Sequence, residues 1–375
     1  VLITLDGIDA DRFDDVDVIE AMNEVAKAYR LGYHNVFAPL NILRYYSAAA
    51  SPLSPIGKAM FKSMLNSFSM SGIYLKEYGL RLRIVSHGEE ISASVVNEEG
   101  RIITIIEVPA KKIHATNILN RVVLLSENHR DTEFYRIMAI AVAQEENIGN
   151  VNIQFDPNGG GGRTTSDEYS YIQSQNERIC LCIVDSDAKY PGSRPGDTAK
   201  AVLSLDDPSR PLSRIVITTS MEIENLIPTI VIKDYLGDKN PLRVALDVYE
   251  KINENGFTTA RLHVDVKNGL RLRELIDKPE NSPYYAYWKP VAEAILETEV
   301  NPGVCHVDAS CDRRSCTCVV IPHLGSNILE QTLPIMRTYL GRQFVQWLDD
   351  VMVDEWKRVG RLVIDWCCGS SPKAG

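Results

Sequence analysis

The run Ile179-Cys180-Leu181-Cys182-Ile183-Val184 limits the fold more than any other stretch: six apolar residues without a polar break, ending directly on Asp185-Ser186-Asp187. It is too short for a buried helix and too uniformly apolar for a strand with one wet face, so it reads as a strand covered on both sides. Such strands belong to parallel sheets, whose crossovers are usually helices. The flanking sequence supplies both. Val122-Val123-Leu124-Leu125 is a second short apolar strand, residues 132–145 carry Phe134, Met138 and Val142 at helical spacing, and Val151-Asn152-Ile153-Gln154-Phe155 returns to strand. A weak helix over 169–175, a helix over 198–205 and a strand at Ile215-Val216-Ile217 continue the alternation. The expected fold class is α/β, a mostly parallel sheet flanked by helices over residues 118–280.

The two flanks differ from this middle. Residues 1–117 show a helical pattern over 18–29, Pro- and Ser-containing turns near 50–55, and three β-branched runs at 81–85, 91–96 and 102–108 that predict a small antiparallel meander. We expect an α+β region there, used for interaction or substrate contacts. Residues 281–375 open on an aromatic cluster around Tyr284 and Trp288, pass through a Cys/His-rich segment, and look helical over 328–359. We expect a mainly helical C-terminal region. No repeat of solenoid or propeller period is present, and low complexity is confined to residues 159–162.

Composition excludes several classes. With 45% hydrophobic and 24% charged residues the chain has ample core and is not a disordered polymer. No apolar run approaches membrane-spanning length, so no membrane association is expected. Val1-Leu2-Ile3-Thr4-Leu5-Asp6 has no basic region and meets acid at once, unlike a secretory signal. The chain also begins without Met, as a processed one does. Eight cysteines without an export signal read as reduced thiols or metal ligands in the cytoplasm. A net charge of -10 argues against a broad nucleic-acid clamp, so any contact with phosphates must be local or assisted by metal or a partner.

Acids follow both central strands. Glu127 stands two residues beyond the strand at 122–125, with Asp131 at the start of the next helix; Asp185 and Asp187 come directly after Val184. Strand C-termini form the ligand rim of a parallel sheet, so both pairs are expected at one edge. Crowded carboxylates repel unless a cation neutralises them, and hard oxygen donors suit Mg²⁺ or Mn²⁺. The bland alternative for each acid is a helix cap.

Leu124-Leu125-Ser126-Glu127-Asn128-His129-Arg130-Asp131-Thr132-Glu133-Phe134-Tyr135 resembles the glutamate motif of TOPRIM domains in their OLD-like nuclease form. Ile183-Val184-Asp185-Ser186-Asp187 resembles the Asp-x-Asp motif of the same family, although Asn128 stands where many members have Gly. Ser220-Met221-Glu222-Ile223-Glu224-Asn225-Leu226-Ile227-Pro228 resembles the later acidic element, which makes Glu224 a second-metal ligand with Glu222 in reserve. Val264-Asp265-Val266-Lys267-Asn268-Gly269-Leu270 resembles the late Lys-x-Gly element, where Lys267 would offset charge on the scissile phosphate. The resemblance implies a TOPRIM nuclease using Mg²⁺ or Mn²⁺, with Glu127, Asp131, Asp185, Asp187, Glu224 and Lys267 as catalytic residues and RNA or DNA as substrate. It further implies a toxic effector of bacterial anti-phage defence, restrained by a partner such as an ATPase or sensor subunit; no ATPase motif lies in this chain. Homo-oligomers are compatible with this. Two other readings stay open: a non-catalytic regulatory module that binds Mg²⁺ and phosphate, and a topoisomerase- or primase-type enzyme. A nucleophilic tyrosine after the domain, which DNA relaxation requires, is not evident.

Two further constellations stand out. Glycines at 159–162 followed by Arg163 offer a phosphate cradle from the Gly160 and Gly161 amides and the guanidinium, though no Walker loop follows. Cys305, His306, Cys311, Cys316, Cys318 and His323 fall within nineteen residues, a candidate structural Zn²⁺ site of irregular spacing. Cys316-Thr317-Cys318-Val319-Val320 reads alternatively as a plain strand with small side chains.

Overall fold

A computed structural model describes residues 1–149, 151–238, 240–308, 311, 316–340 and 344–373. It is a mixed α/β protein with parallel-rich sheets and, among the described residues, fourteen α-helices. Two compact units make up the chain: Val1–Ile183 with Ala201–Val216 and Arg358–Gly375, and Val184–Lys200 with Ile217–Lys357. The compositional boundaries at 117/118 and 280/281 each fall inside one of these units.

Among the described residues the first unit contains two larger sheets and one two-stranded pairing. In one, β1 (Leu2–Gly7) is followed by the helix Val16–Leu31 and then by β2 (Asn35–Phe37), which pairs parallel with β1. That helix buries Val18, Met22, Val25 and Tyr29, one face at three- and four-residue spacing, and stops at Gly32, whose φ of 73° closes the last turn. Three helices, Leu40–Ser47, Pro55–Asn66 and Phe68–Glu77, lead to β3 (Leu80–Val85), then β4 (Ser92–Glu98) and β5 (Arg101–Pro109). The order is β2-β1-β3-β5-β4. The expected meander is therefore only half present: β4 and β5 are antiparallel, but β5 pairs parallel with β3. The more apolar β5, with Ile103, Ile106 and Val108 buried, takes the inner position, and the largely exposed β4 is left at the edge.

In the other sheet the order is β10-β9-β6-β8, from β6 (Val122–Ser126), β8 (Phe155–Gly159), β9 (Cys180–Val184) and β10 (Ser213–Ile217). β6 lies parallel to both β8 and β9, and every residue of β6 and β9 is buried. The strand expected over 151–155 splits in two. A short β7 (Asn152–Ile153) pairs antiparallel with Cys368–Gly369, the Gln154 amide donates to the Cys367 carbonyl at 2.7 Å, and β8 then begins at Phe155. β8 contains Pro157, which a sheet edge tolerates because no donor is needed on the open side. The helices His129–Glu145 and Thr165–Gln175 follow β6 and β8.

The second unit is mainly helical. It contains Thr229–Leu236, Arg243–Glu254, Pro283–Leu296 and Ile328–Tyr339, and one two-stranded ribbon of β11 (Leu270–Arg271) and β12 (Val319–Ile321). The helical stretch expected over 328–359 is interrupted: after Tyr339 comes a 3₁₀ turn at Phe344–Trp347, and a new helix starts at Asp350. Buried Arg261 ties this unit together, donating to Asp349 Oδ2 at 2.8 Å and to the Ile227 carbonyl at 2.7 Å. No described helix is long and apolar enough to cross a membrane.

Candidate functional site

In the first unit, Glu127 is half-buried just beyond β6. Its charge reaches β9: the Cys182 thiol is pushed well up by burial first, then by Cys180 and Glu127. Asn128 has φ −130° and ψ 143°, an extended conformation in which glycine is not required, and it caps the helix that follows. Its side-chain oxygen accepts from the Arg130 amide at 3.0 Å, while Asp131 Oδ2 accepts from the Asn128 amide at 2.8 Å. Asp131 thus closes a capping box, a structural duty that occupies one of its oxygens.

The glycine run is used internally. The Gly160 amide donates to the Ser126 carbonyl at 2.8 Å and the Gly161 amide to the Glu127 carbonyl at 3.0 Å. A Cβ on Gly160 would stand 2.4 Å from the Thr165 Cα, so glycine here answers to close approach. The two amides offered to a phosphate by the sequence pattern hold the end of β6 instead, and only exposed Arg163 keeps its charge toward solvent.

The second unit assembles most of the remaining residues. Asp185 and Asp187 are half-buried, and Ser186 between them is buried, its hydroxyl donating to the Ser220 carbonyl at 2.5 Å. The Asp187 amide donates to the Met221 carbonyl at 2.8 Å, which stitches the Asp-x-Asp turn to the segment entering Glu222. Asp187 has φ 52°, a left-handed conformation uncommon outside glycine. Two side chains to which the sequence assigns no site role fix what comes next. His263 Nδ1 lies 2.7 Å from the Ala188 carbonyl, and Trp288 Nε1 donates to the Lys189 carbonyl at 2.8 Å. Burial holds the His263 imidazole below its ordinary pKa, in keeping with a neutral donor. Their partners are backbone carbonyls far away in sequence, so no spacing signal marks them.

Glu222 and Glu224 flank the start of a 3₁₀ turn, Ile223–Leu226. Asn225 is buried and fully engaged: its Oδ1 accepts from the Glu222 amide, and its Nδ2 donates to the Arg261 and Val264 carbonyls, all at 2.8 Å. That brings the loop carrying Lys267 against the acids. Lys267 Nζ lies 3.2 Å from Glu222 Oε1 and 3.0 Å from Glu224 Oε1. Burial works against the ammonium, but Glu224 and Glu222 outweigh it and raise the lysine pKa. Burial, reinforced by Glu224 and only partly offset by Lys267, pushes Glu222 up to about 7. Asp187 is likewise raised, by burial first, with Lys189 and Lys267 opposing.

The second oxygens, Glu222 Oε2 and Glu224 Oε2, are buried and have no hydrogen-bond partner among the described residues. Buried carboxylate oxygens left in this condition are costly, and a hard cation is the group that satisfies them. Glu222 and Glu224 therefore fit a divalent metal by donor chemistry. Asp187 lines a cavity of about 480 Å³ together with Lys189, Tyr190, Arg194, Lys278 and Tyr284. Glu274 and Asp277 also face it, so three cationic groups meet three carboxylates there.

Gly196 reports on how tightly Asp187 is held. A Cβ at Gly196 would lie 1.9 Å from Asp187 Oδ2 and 2.5 Å from its Cβ and Cγ. Gly196→Ala is expected to lower stability by about 1–3 kcal/mol through overpacking. Adding Asp187→Gly should restore most of the loss, because the obstructing side chain is then gone. Thermal melts of both variants check this; an unchanged midpoint in Gly196→Ala would sink it.

Of the six candidate zinc ligands, four converge. The thiols of Cys305, Cys311, Cys316 and Cys318 all lie within 4.8 Å of one another. His306 and His323 are not members of that group; His306 Nε2 sits 3.5 Å from Asn301 Nδ2. The strand expected across 316–320 begins only at Val319, which leaves Cys316 and Cys318 outside regular structure. A second group of three, Asp17, Glu20 and His114, is exposed.

Comparison with protein-family models, with curated proteins and with solved structures found no match.

Proposed function

We propose that this chain is a metal-dependent phosphodiester hydrolase of TOPRIM type acting on RNA or DNA. The observation that carries the reading is the trio Glu222, Glu224 and Lys267: two acids with orphaned buried oxygens and one firmly protonated amine, in the unit that also holds the Asp-x-Asp turn. Glu222 and Glu224 would hold Mg²⁺ or Mn²⁺, with Asp185 and Asp187 as further ligands by the resemblance alone. When bound, such an ion stabilises charge on a phosphoryl oxygen and makes bound water a stronger nucleophile. Lys267 keeps its proton through the reaction and offsets charge gathering on the phosphoryl group. Lys189 and Arg194 face Asp187 across the cavity and would seat the flanking phosphates, while Tyr190 and Tyr284, with rings 6.4 Å apart, supply faces for a base. Cations and carboxylates are balanced in that cavity, so a phosphate gains little there until a divalent ion offsets the acids. This is consistent with a metal-dependent enzyme in a chain of net charge -10.

Glu127 and Asp131 keep the roles implied by the resemblance, with Asp131 limited by its capping duty. The restraining partner, an ATPase or sensor subunit, and the defence role also rest on the resemblance alone. The test is a panel of plasmid, single-stranded DNA and tRNA incubated with the full chain in Mg²⁺, Mn²⁺ or chelator. Cleavage should require the metal. Asp185→Ala and Glu127→Gln should each lower it by at least about 100-fold, more than loss of even an outer-shell partner costs. Variants that cleave at the wild-type rate would remove those residues from the site.

A second reading draws on the same trio. Lys267 already neutralises part of the acid pair, which suits a regulatory module that binds Mg²⁺ and phosphate without turnover. It gains if the wild-type chain binds nucleotides only with metal present yet cleaves none of the panel.

A further inference from the structure

We infer that Cys305, Cys311, Cys316 and Cys318 bind one Zn²⁺ as a four-thiolate centre, and that this centre fixes the turn that presents Lys267. The geometry argues for a single tetrahedral ion. Cys318 Sγ lies 3.6 Å from Cys305 Sγ and 3.9 Å from Cys311 Sγ, with all four sulfurs inside 4.8 Å. Zinc–thiolate bonds of about 2.3 Å in a tetrahedron put sulfurs about 3.8 Å apart along each edge. A disulfide would bring two of them to about 2.05 Å, and an iron–sulfur cluster, with several metal atoms inside the cage, would spread them further. The ligand set is soft sulfur throughout, which favours zinc over the hard ions proposed for the acids.

The link to Lys267 runs through backbone hydrogen bonds within the second unit. From Cys318 the chain passes directly into β12, which pairs antiparallel with β11, Leu270 opposite Ile321 and Arg271 opposite Val319. The Leu272 amide donates to the carbonyl of Cys318 itself at 2.9 Å, and the Leu324 amide donates to the Val266 carbonyl at 2.9 Å. The tight turn between these anchors holds Lys267, closed by the Gly269 amide on the Asp265 carbonyl at 2.6 Å. Gly269 has φ 75°, and a Cβ there would meet the Ile321 carbonyl at 2.3 Å, so turn and β12 are in backbone contact. At the other end of the cysteine segment, the Gly303 amide donates to the Ile276 carbonyl at 2.8 Å. β11 and β12 are two and three residues long, too short to hold register unaided. A zinc ion beside Cys318 supplies the missing constraint.

The full chain, expressed without added zinc and purified without chelator, should carry about one zinc per chain by elemental analysis. Cys318→Ser should lose at least ten-fold in zinc occupancy. Replacing zinc by Co²⁺ should give the visible d–d absorption of a tetrahedral thiolate centre. Stripping the metal should speed amide exchange in the 265–272 segment at least ten-fold and leave the β6 and β9 amides unchanged. Protein that carries no zinc as purified and whose four thiols then react freely with Ellman's reagent would overturn the site, as would bound iron with sulfide. Exchange in 265–272 that ignores zinc removal would overturn the positioning role. None of these readouts depends on catalysis, so they stand or fall separately from the hydrolase reading.

Discussion

Lys267→Met is expected to destabilise the chain by about 3 kcal/mol, the low end of the range for breaking a buried ion pair. The low end applies because 31% of the lysine side chain remains exposed. Glu224 is far more enclosed, with 6% of its side chain exposed, so its carboxylate would lose its nearest cation and keep Glu222 as a like-charged neighbour. Glu224→Gln in the same background should return about 1–2 kcal/mol, since the repulsion is then gone and the two sites are directly coupled. Mg²⁺ or Mn²⁺ should raise the melting midpoint of Lys267→Met by more than it raises that of the wild type, because a cation then replaces the missing ammonium. Urea titrations of the single and double variants measure the coupling. A Lys267→Met protein as stable as wild type, or one that Glu224→Gln fails to rescue, would show that the trio is not electrostatically linked.

The acids of this trio were legible only as motif positions. Glu222 and Glu224 alternate, and alternation in sequence does not say which acid turns inward; the 3₁₀ turn decides that, burying Glu224 more than Glu222. What turns it is Asn225, two of whose three hydrogen bonds reach residues 36 and 39 positions away. No window along the chain contains that information. The cysteines show the same limit. Their spacing is irregular, and six residues were candidates because composition alone cannot separate thiol from imidazole ligands. Convergence in space selects the four thiols.

The elements themselves were easier to read. Runs such as Val122 to Ser126 and Cys180 to Val184 are apolar because both faces are covered, and that cause acts locally on composition. Pairing is a different matter. β3, β4 and β5 follow one another in sequence, which favours a meander, yet β5 inserts between the other two because its buried isoleucines need cover on both sides more than β4 does. The glycine run was misleading for a related reason. Small residues in a loop announce a close approach, but the approaching group proved to be Thr165 and the carbonyls after β6.

His34 offers the largest expected response to pH. It is fully buried in the first unit, its Nε2 3.0 Å from the Asn120 carbonyl. Burial lowers its pKa to about 3, so the folded chain keeps a neutral ring with Nε2 as donor. The unfolded chain takes up a proton below about 6.5. Between those values the unfolded state binds more protons, so the histidine's contribution is fully present above pH 6.5 and falls by about 1.4 kcal/mol per unit below it. Asp365, in the same unit, acts oppositely. Its pKa is raised to about 6 by burial, so its contribution is fully present below its unfolded value and is lost as pH rises through 6. Total stability thus mixes two slopes, and the histidine is isolated by difference. His34→Gln retains a donor for the Asn120 carbonyl and cannot be protonated. It should be less stable than wild type at pH 7.5 by about 1–2 kcal/mol, from imperfect packing. The deficit should close and then reverse as pH is lowered toward 4.5, a swing of about 2–3 kcal/mol. Urea midpoints for both proteins across this range settle it. A wild-type-minus-variant difference that stays flat would mean that His34 titrates normally in the fold.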